Sequence, residues 1–286
     1  MPLLVWPRRA APPGLLPRCA NPWCRSGWLQ MWRSRATPVF EGGWTCSHDC
    51  TEQRMEMAVR RALDGRTWDR EPHRPRIPLG LVMLEQGWIT QQDLREALGA
   101  QRAAGSGQVG SWLVHRRAVT EQTVARALGL QWSCPVLAAD PAEAASLASL
   151  LPRLFVDAFG ALPLRLAGNR MLYLGFEQRP DPVLALALEQ MNGLEIASGI
   201  VPGASFHQAQ TRMLEAAFPR VELIEAASPE AAARALARAI ERVQPAASRL
   251  VRVHGCLWLR LWRRSPTPPV PEPCDVEDVI CSLGTT

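Results

Sequence analysis

Residues 78–131 carry one pattern twice, thirty positions apart, and this repeat constrains the fold more than any other feature of the chain. Leu79-Gly80 aligns with Val109-Gly110, Ile89-Thr90 with Val119-Thr120, Leu94 with Val124, Leu98 with Leu128, and Gln101 with Gln131. A period of this length marks a small supersecondary unit that cannot bury its apolar face alone. The two copies must therefore complete one another's core.

Each copy reads as helix, turn, helix. Leu81, Met83 and Leu84 form a short apolar run that stops at Gly87, a residue type that ends helices in the left-handed region. Thr90 then restarts the chain as an N-cap, with Asp93 at the third helical position in a variant of the capping box. Leu94, Ala97, Leu98 and Gln101 fall at three- and four-residue steps on one helical stripe, and Thr120, Val124, Ala127, Leu128 and Gln131 repeat the arrangement. For the leucines, such spacing means core packing. Arg117 stands where the first copy has Gly87, so an ordinary residue must make that turn at extra conformational cost.

The pattern of Leu-Gly, short apolar helix, Gly, apolar residue, Thr, then Leu, Leu and Gln, given twice and followed by Pro135-Val136-Leu137, resembles the MshEN domain. That domain is the N-terminal module of type II secretion and type IV pilus assembly ATPases. The resemblance is close over residues 76–137 and looser over 148–218. It implies cyclic di-GMP as a ligand lying across the exposed edge of the paired motifs. From the first copy it would use Leu79, Gly80, Leu94, Leu98 and Gln101; from the second, Val109, Gly110, Val124, Leu128 and Gln131. Family motifs open with Arg-Leu-Gly, whereas Pro78 and Gln108 occupy the arginine positions here. Arginine supplies a planar cation that neutral residues do not copy, and Arg76, with Arg74 nearby, is the candidate to fill that space. The rival expectation is a fold retained without its ligand.

Composition narrows the function further. Among 286 residues no apolar run approaches the roughly 18 needed to span a bilayer. Leu3 to Trp6 precede Arg8 and Arg9, the reverse of a secretory signal, so the expectation is a cytoplasmic protein. All 32 basic residues are arginine. Without lysine there is no Walker A loop, which excludes the motor ATPase, and no lysine Schiff base. No two of the five histidines share a metal-ligand spacing, and no Gly-x-Ser-x-Gly elbow is present. A non-catalytic role follows. The net charge of +5 and pI near 9.0 suit nucleic acid or anionic surfaces, yet the arginines are dispersed, as on a solvated surface.

Cys19-Ala-Asn-Pro-Trp-Cys24 and Trp44-Thr-Cys46-Ser-His-Asp-Cys50 form two close cysteine pairs, the usual sequence form of a structural zinc site. A segment this short cannot bury enough surface to fold without a metal or a cross-link. Zinc held by Cys19, Cys24, Cys46 and Cys50 is the reading carried forward; two disulfides and unpaired thiols are its alternatives, and His48 is a substitute ligand for one cysteine. The second knuckle looks like a treble-clef finger, with a helix from about Thr51 to Leu63 capped by Thr51 and carrying Met55, Val59, Ala62 and Leu63 on one face. Cys134, Cys256, Cys274 and Cys281 read as buried small apolar residues.

Further on, Leu162 to Leu166 and Met171 to Leu174 flank a Gly168-Asn169 turn and read as a hairpin, followed by a helix (182–191), a strand (194–201) and a helix (205–217). Pro229 to Val243 is an alanine-rich helix with Arg234, Arg238 and Arg242 on a solvated face. Leu250 to Trp262 reads as a strand or hairpin, apolar on both faces and so buried or partnered. Pro266 to Pro273 reads as a linker, and Asp275 to Leu283 as a short docking helix using Val276, Val279, Ile280 and Leu283.

The expected fold is α+β: a small four-cysteine zinc module, a tandem helix-turn-helix repeat, then a small sheet packed with helices. The segments are a disordered N-terminus (1–18), the zinc module (19–64), a linker (65–77), the repeat (78–137), an α/β half (148–218), a helix with a Trp-rich strand (229–263) and a Pro-rich tail (264–286). The expected function is a regulatory or adaptor protein that contacts secretion or pilus machinery and responds to cyclic di-GMP. The alternative is a zinc-dependent nucleic-acid-binding regulator using Arg60, Arg61, Arg70, Arg74 and Arg76.

Overall fold

A computed structural model describes residues 19–25, 38–64, 76–264 and 269–284. The expected disordered segment 1–18, most of the linker at 65–75 and the start of the Pro-rich tail at 265–268 lie outside them. The architecture is α+β, and the chain divides into two compact units: Met1–Thr67 with Pro219–Thr286, and Trp68–Phe218.

The first unit opens with a hairpin of β1 (Val39–Phe40) and β2 (Gly43–Trp44). Glu41 and Gly42, at φ 47° and 72°, make the mirror-image turn that matches strand twist. Helix α1 (His48–Asp64) follows. It starts earlier than the expected Thr51 because the Ser47 hydroxyl accepts from the Cys50 amide at 3.3 Å, placing the cap upstream. Thr51 is instead buried within the helix, its hydroxyl 2.8 Å from that of Thr45.

The second unit begins with the repeat: α2 (Leu79–Glu85) and α3 (Gln91–Ala104), then α4 (Val109–His115) and α5 (Glu121–Trp132). Gly87 turns the first copy at φ 68° and Arg117 the second at φ 58°. Thr90 and Asp93 form the full capping box on α3, and Thr120 accepts from the Thr123 amide on α5. The core is made of equivalent residues. Met83 and Leu113, like Ala97 and Ala127, are thirty apart and fully buried. Stacking two identical faces encloses what neither copy covers alone.

Helices α6 (Pro141–Ser146) and α7 (Arg153–Phe159) lead to β3 (Ala161–Ala167), β4 (Met171–Phe176), α8 (Pro182–Asn192), β5 (Glu195–Ile200) and α9 (Gly203–Leu214). The sheet order is β3-β4-β5, antiparallel then parallel. Asp181 accepts from the amides of Val183 and Leu184 and so starts α8 behind Pro182. Residues 135–137 run beside β5: Leu137 donates to the Ile200 carbonyl at 2.7 Å, and Ile200 to that of Pro135 at 2.9 Å. Gly199 permits this approach, since a Cβ there would lie 2.6 Å from the Pro135 oxygen.

The chain then returns to the first unit with β6 (Arg220–Ala226), α10 (Pro229–Val243), β7 (Ala247–Val253), β8 (Cys256–Trp262) and β9 (Val276–Leu283), in the sheet order β6-β9-β8-β7. The docking helix expected over 275–283 is the inner strand β9. Its apolar residues fit a helical stripe equally well, but six of its residues from Val276 on are buried, as in a strand covered on both faces. Strand β6 was not foreseen. Helix α10 buries Ala233, Leu236, Ala237 and Ile240 and exposes Arg234, Arg238 and Arg242.

The four-cysteine segment shares its core with the chain beyond Pro219. Phe40, Met55 and Val59 share one core with Leu236, Leu250, Leu259 and Val279, and β1 leans on the chain at β7 through Val39 to the Pro245 carbonyl (3.0 Å) and Glu41 to that of Ser248 (2.9 Å). On the other sheet face the fully buried Arg260 and Asp278 form a two-pronged ion pair at 2.7 and 2.8 Å, and Trp258 Nε1 donates to the same carboxylate at 2.7 Å. Of the four cysteines expected inside, Cys281 is buried and Cys134 and Cys256 are half-buried. Cys274 is exposed, because the proline-flanked turn at Pro273–Asp275 keeps it on the surface.

Candidate functional site

Cys19, Cys24, Cys46 and Cys50 converge although the pairs are far apart in sequence. The hairpin carries Cys46 at its exit, α1 carries Cys50 in its first turn, and the knuckle at 19–24 is tied across by Ala20 donating to the Trp44 carbonyl at 2.8 Å. Asn21 braces that knuckle: its Oδ1 accepts from Trp23 and its Nδ2 donates to Gln53 at 2.8 Å. A Cβ at Gly43 would collide with Ala20 and Arg54, so glycine there lets the two halves meet. The four Sγ atoms lie within 4.8 Å of one another, with Cys24–Cys46 at 3.5 Å and Cys46–Cys50 at 3.6 Å. A tetrahedron with metal–sulfur bonds of about 2.3 Å has edges of about 3.8 Å, so the cluster fits one metal ion. The 3.5 and 3.6 Å separations are far longer than the roughly 2.05 Å of a disulfide bond, so the arrangement is that of ligands around an ion. Burial pushes the Cys19 thiol up to about 12 and raises that of Cys50, so a cation is what would let four thiolates ionise together. His48 takes no part: Nδ1 meets Glu241 at 2.6 Å and Nε2 faces Glu52 at 3.4 Å.

The eleven residues expected to hold a dinucleotide separate by role. Gly80 and Gly110 are buried under Leu94 and Val124; a Cβ at Gly80 would lie 2.6 Å from Leu94 Cδ1, and one at Gly110 would lie 2.9 Å from Val124 Cγ1. Glycine here lets the paired helices touch. Gln101 donates to the Gly107 carbonyl and Gln131 to that of Ile77, both at 2.7 Å. Leu98, Leu128 and Val109 are half-buried. Leu79, Gly110, Val124 and Leu128 line a cleft of about 310 Å³ together with Gln108, Ser111, His115, Glu121, Glu177 and Pro202.

Polar groups at that cleft are mostly spoken for. Glu121 accepts from the Ala204 amide at 2.6 Å in the first turn of α9, where a negative charge suits the helix dipole. Glu177 pairs with His207 at 3.3 Å, and Gln108 donates to Gln178. The neutral Pro78 and Gln108 leave the cleft lining without an arginine. Cation instead gathers on Trp132. The Arg76 guanidinium stacks 3.2 Å from its ring centroid, and that of Arg179 lies at 5.3 Å. Arg179 and Trp132 were missed from the sequence, since nothing local relates positions 47 apart. Of the arginines considered for nucleic acid, Arg61 pairs with Glu41, Arg60 is exposed, Arg76 covers Trp132, and Arg70 and Arg74 lie outside the described residues.

No protein-family profile and no curated protein matches this chain. Among solved structures it is similar to one described as the structure of MshE with cdg, at 25% identity and a TM-score of 0.38, over 48% of this chain and 99% of that one. Among the described residues, no helix is long and apolar enough to cross a membrane.

Proposed function

We propose that this chain is a non-catalytic regulatory adaptor whose tandem repeat binds cyclic di-GMP and whose first unit, built around a zinc ion on Cys19, Cys24, Cys46 and Cys50, carries contacts to a protein partner in secretion or pilus machinery. The observation that carries the ligand reading is the cleft of about 310 Å³, which draws Leu79 from one copy of the repeat and Gly110, Val124 and Leu128 from the other. Its lining mixes these apolar side chains with polar ones, among them Gln108, Ser111, His115 and Gln178, and small-molecule sites likewise combine apolar contact with polar groups that fix orientation. Bases would pack on the apolar side chains and on Leu94 and Leu98. Charge for the phosphates would come from Arg76 and Arg179, which share the Trp132 ring and lie three and one positions in sequence from the lining residues Leu79 and Gln178.

Titration of cyclic di-GMP into metal-replete protein by calorimetry tests this reading. Saturable heat is expected from the wild type. Ser111→Trp, which fills the cleft from an exposed position, and Arg76→Ala should each abolish or weaken it more than tenfold with the fold intact. Absence of heat from folded protein overturns the ligand reading and leaves a fold retained for protein contacts.

A further inference from the structure

The four-stranded sheet of the first unit treats its two edges differently. Beside β7, the hairpin strand β1 covers the edge, with Val39 and Glu41 donating to the chain at Pro245 and Ser248. Beside β6, no described strand lies on the outer edge; its one strand neighbour is β9. Leu223, at the middle of β6, is 71% exposed, more than any other large apolar side chain among the described residues. An open edge strand with a central exposed leucine is a template for another strand.

The sequence of β6 argues what that strand is. Two copies of one chain related by a two-fold axis must pair their edges antiparallel. Centred on Leu223, such pairing sets Leu223 opposite itself, Val221 opposite Glu225, Glu222 opposite Ile224 and Arg220 opposite Ala226. No like charges then face one another directly, the arrangement that would oppose pairing. Glu222 is also neutralised within its own chain by Arg242 at 2.6 Å. We infer that β6 is a self-association edge, through which two copies of this chain join their sheets into one of eight strands. A seven-residue edge buries little area, so the dimer is reversible, in the micromolar range.

Sedimentation velocity on the full chain over a concentration series tests the inference. Wild type should pass from monomer to dimer as concentration rises. Leu223→Arg, which sets two cations face to face from an exposed position, should stay monomeric with an unchanged thermal midpoint. Val221→Arg places a cation opposite Glu225 of the second copy twice per dimer, and should tighten association roughly threefold to tenfold. A wild type that is monomeric throughout, or a dimer that Leu223→Arg leaves intact, overturns the inference. Tightening absent in Val221→Arg overturns the register.

Discussion

Gln131 donates its side-chain amide to the carbonyl of Ile77, 2.7 Å away and 54 positions earlier in the chain. Its counterpart thirty residues back, Gln101, donates to Gly107 at the same distance. Ile77 and Gly107 each lie two positions before a Leu-Gly or Val-Gly pair, so each copy of the repeat ties down the start of the other. The two copies thus close on one another as a pseudo-symmetric pair, where a linear stack would leave one glutamine without its carbonyl.

Removing either tie should therefore weaken the same unit. Gln131→Ala and Gln101→Ala should each cost about 0.5–1.5 kcal/mol, the net worth of one hydrogen bond whose acceptor can turn to water. Urea unfolding followed by far-UV circular dichroism would measure both, and equal losses would mark the symmetry.

Gly110→Ala should be more costly than its size suggests. The added methyl meets the stiff β-branched Val124 at 2.9 Å and Leu79 at 3.3 Å, so helices must separate. A loss of about 1–3 kcal/mol is expected, with partial recovery in Gly110→Ala/Val124→Ala. A double-mutant cycle on unfolding free energies reads the coupling.

The capping box on α3 gives a pH dependence. The Thr90 hydroxyl and amide donate to Asp93 and hold its carboxyl below the usual carboxylate range. A depressed folded-state pKa contributes stability that is present above the unfolded value and disappears as pH falls through the folded one. Wild type should lose thermal stability relative to Asp93→Asn on acidification below the ordinary Asp range, and the gap should be constant near neutrality.

Metal removal should disturb far more than the knuckles. Because Phe40, Met55 and Val59 belong to the core of the four-stranded sheet, a chelator or Cys46→Ser should loosen the whole first unit. One equivalent of zinc by elemental analysis, with earlier proteolysis of residues beyond Pro219 after its removal, is the expected result.

The buried pair on β8 and β9 should respond to how it is broken. Asp278→Ala leaves Arg260 charged and enclosed and should cost about 3–5 kcal/mol, whereas Arg260→Met/Asp278→Leu should cost less, retaining mainly the penalty of a Trp258 Nε1–H without its acceptor. Denaturant midpoints of the two variants give the comparison.

The sequence by itself determined the elements whose information is local. The thirty-residue period, the Thr90 and Thr120 caps, the turn at Gly87, the strained Arg117 and the exposed arginine stripe of α10 all follow from side-chain chemistry within a few positions. The same holds for the cysteine spacing, since ligand pairs on one knuckle are a local pattern. Tertiary structure alone decided whatever depends on a second segment. The run at 276–283 has apolar residues that satisfy helical and extended spacing alike, and it became a strand because β6 and β8 flank it with hydrogen-bonding edges. That Gly80 and Gly110 carry close helix packing was decided there too, because Leu94 and Val124 cross above them. Arg76 met Trp132, and the cysteine module joined a sheet more than 150 residues away, through burial that no local pattern encodes. Local propensity chooses the elements; which of their faces and edges are covered is a free energy shared among segments distant in the chain.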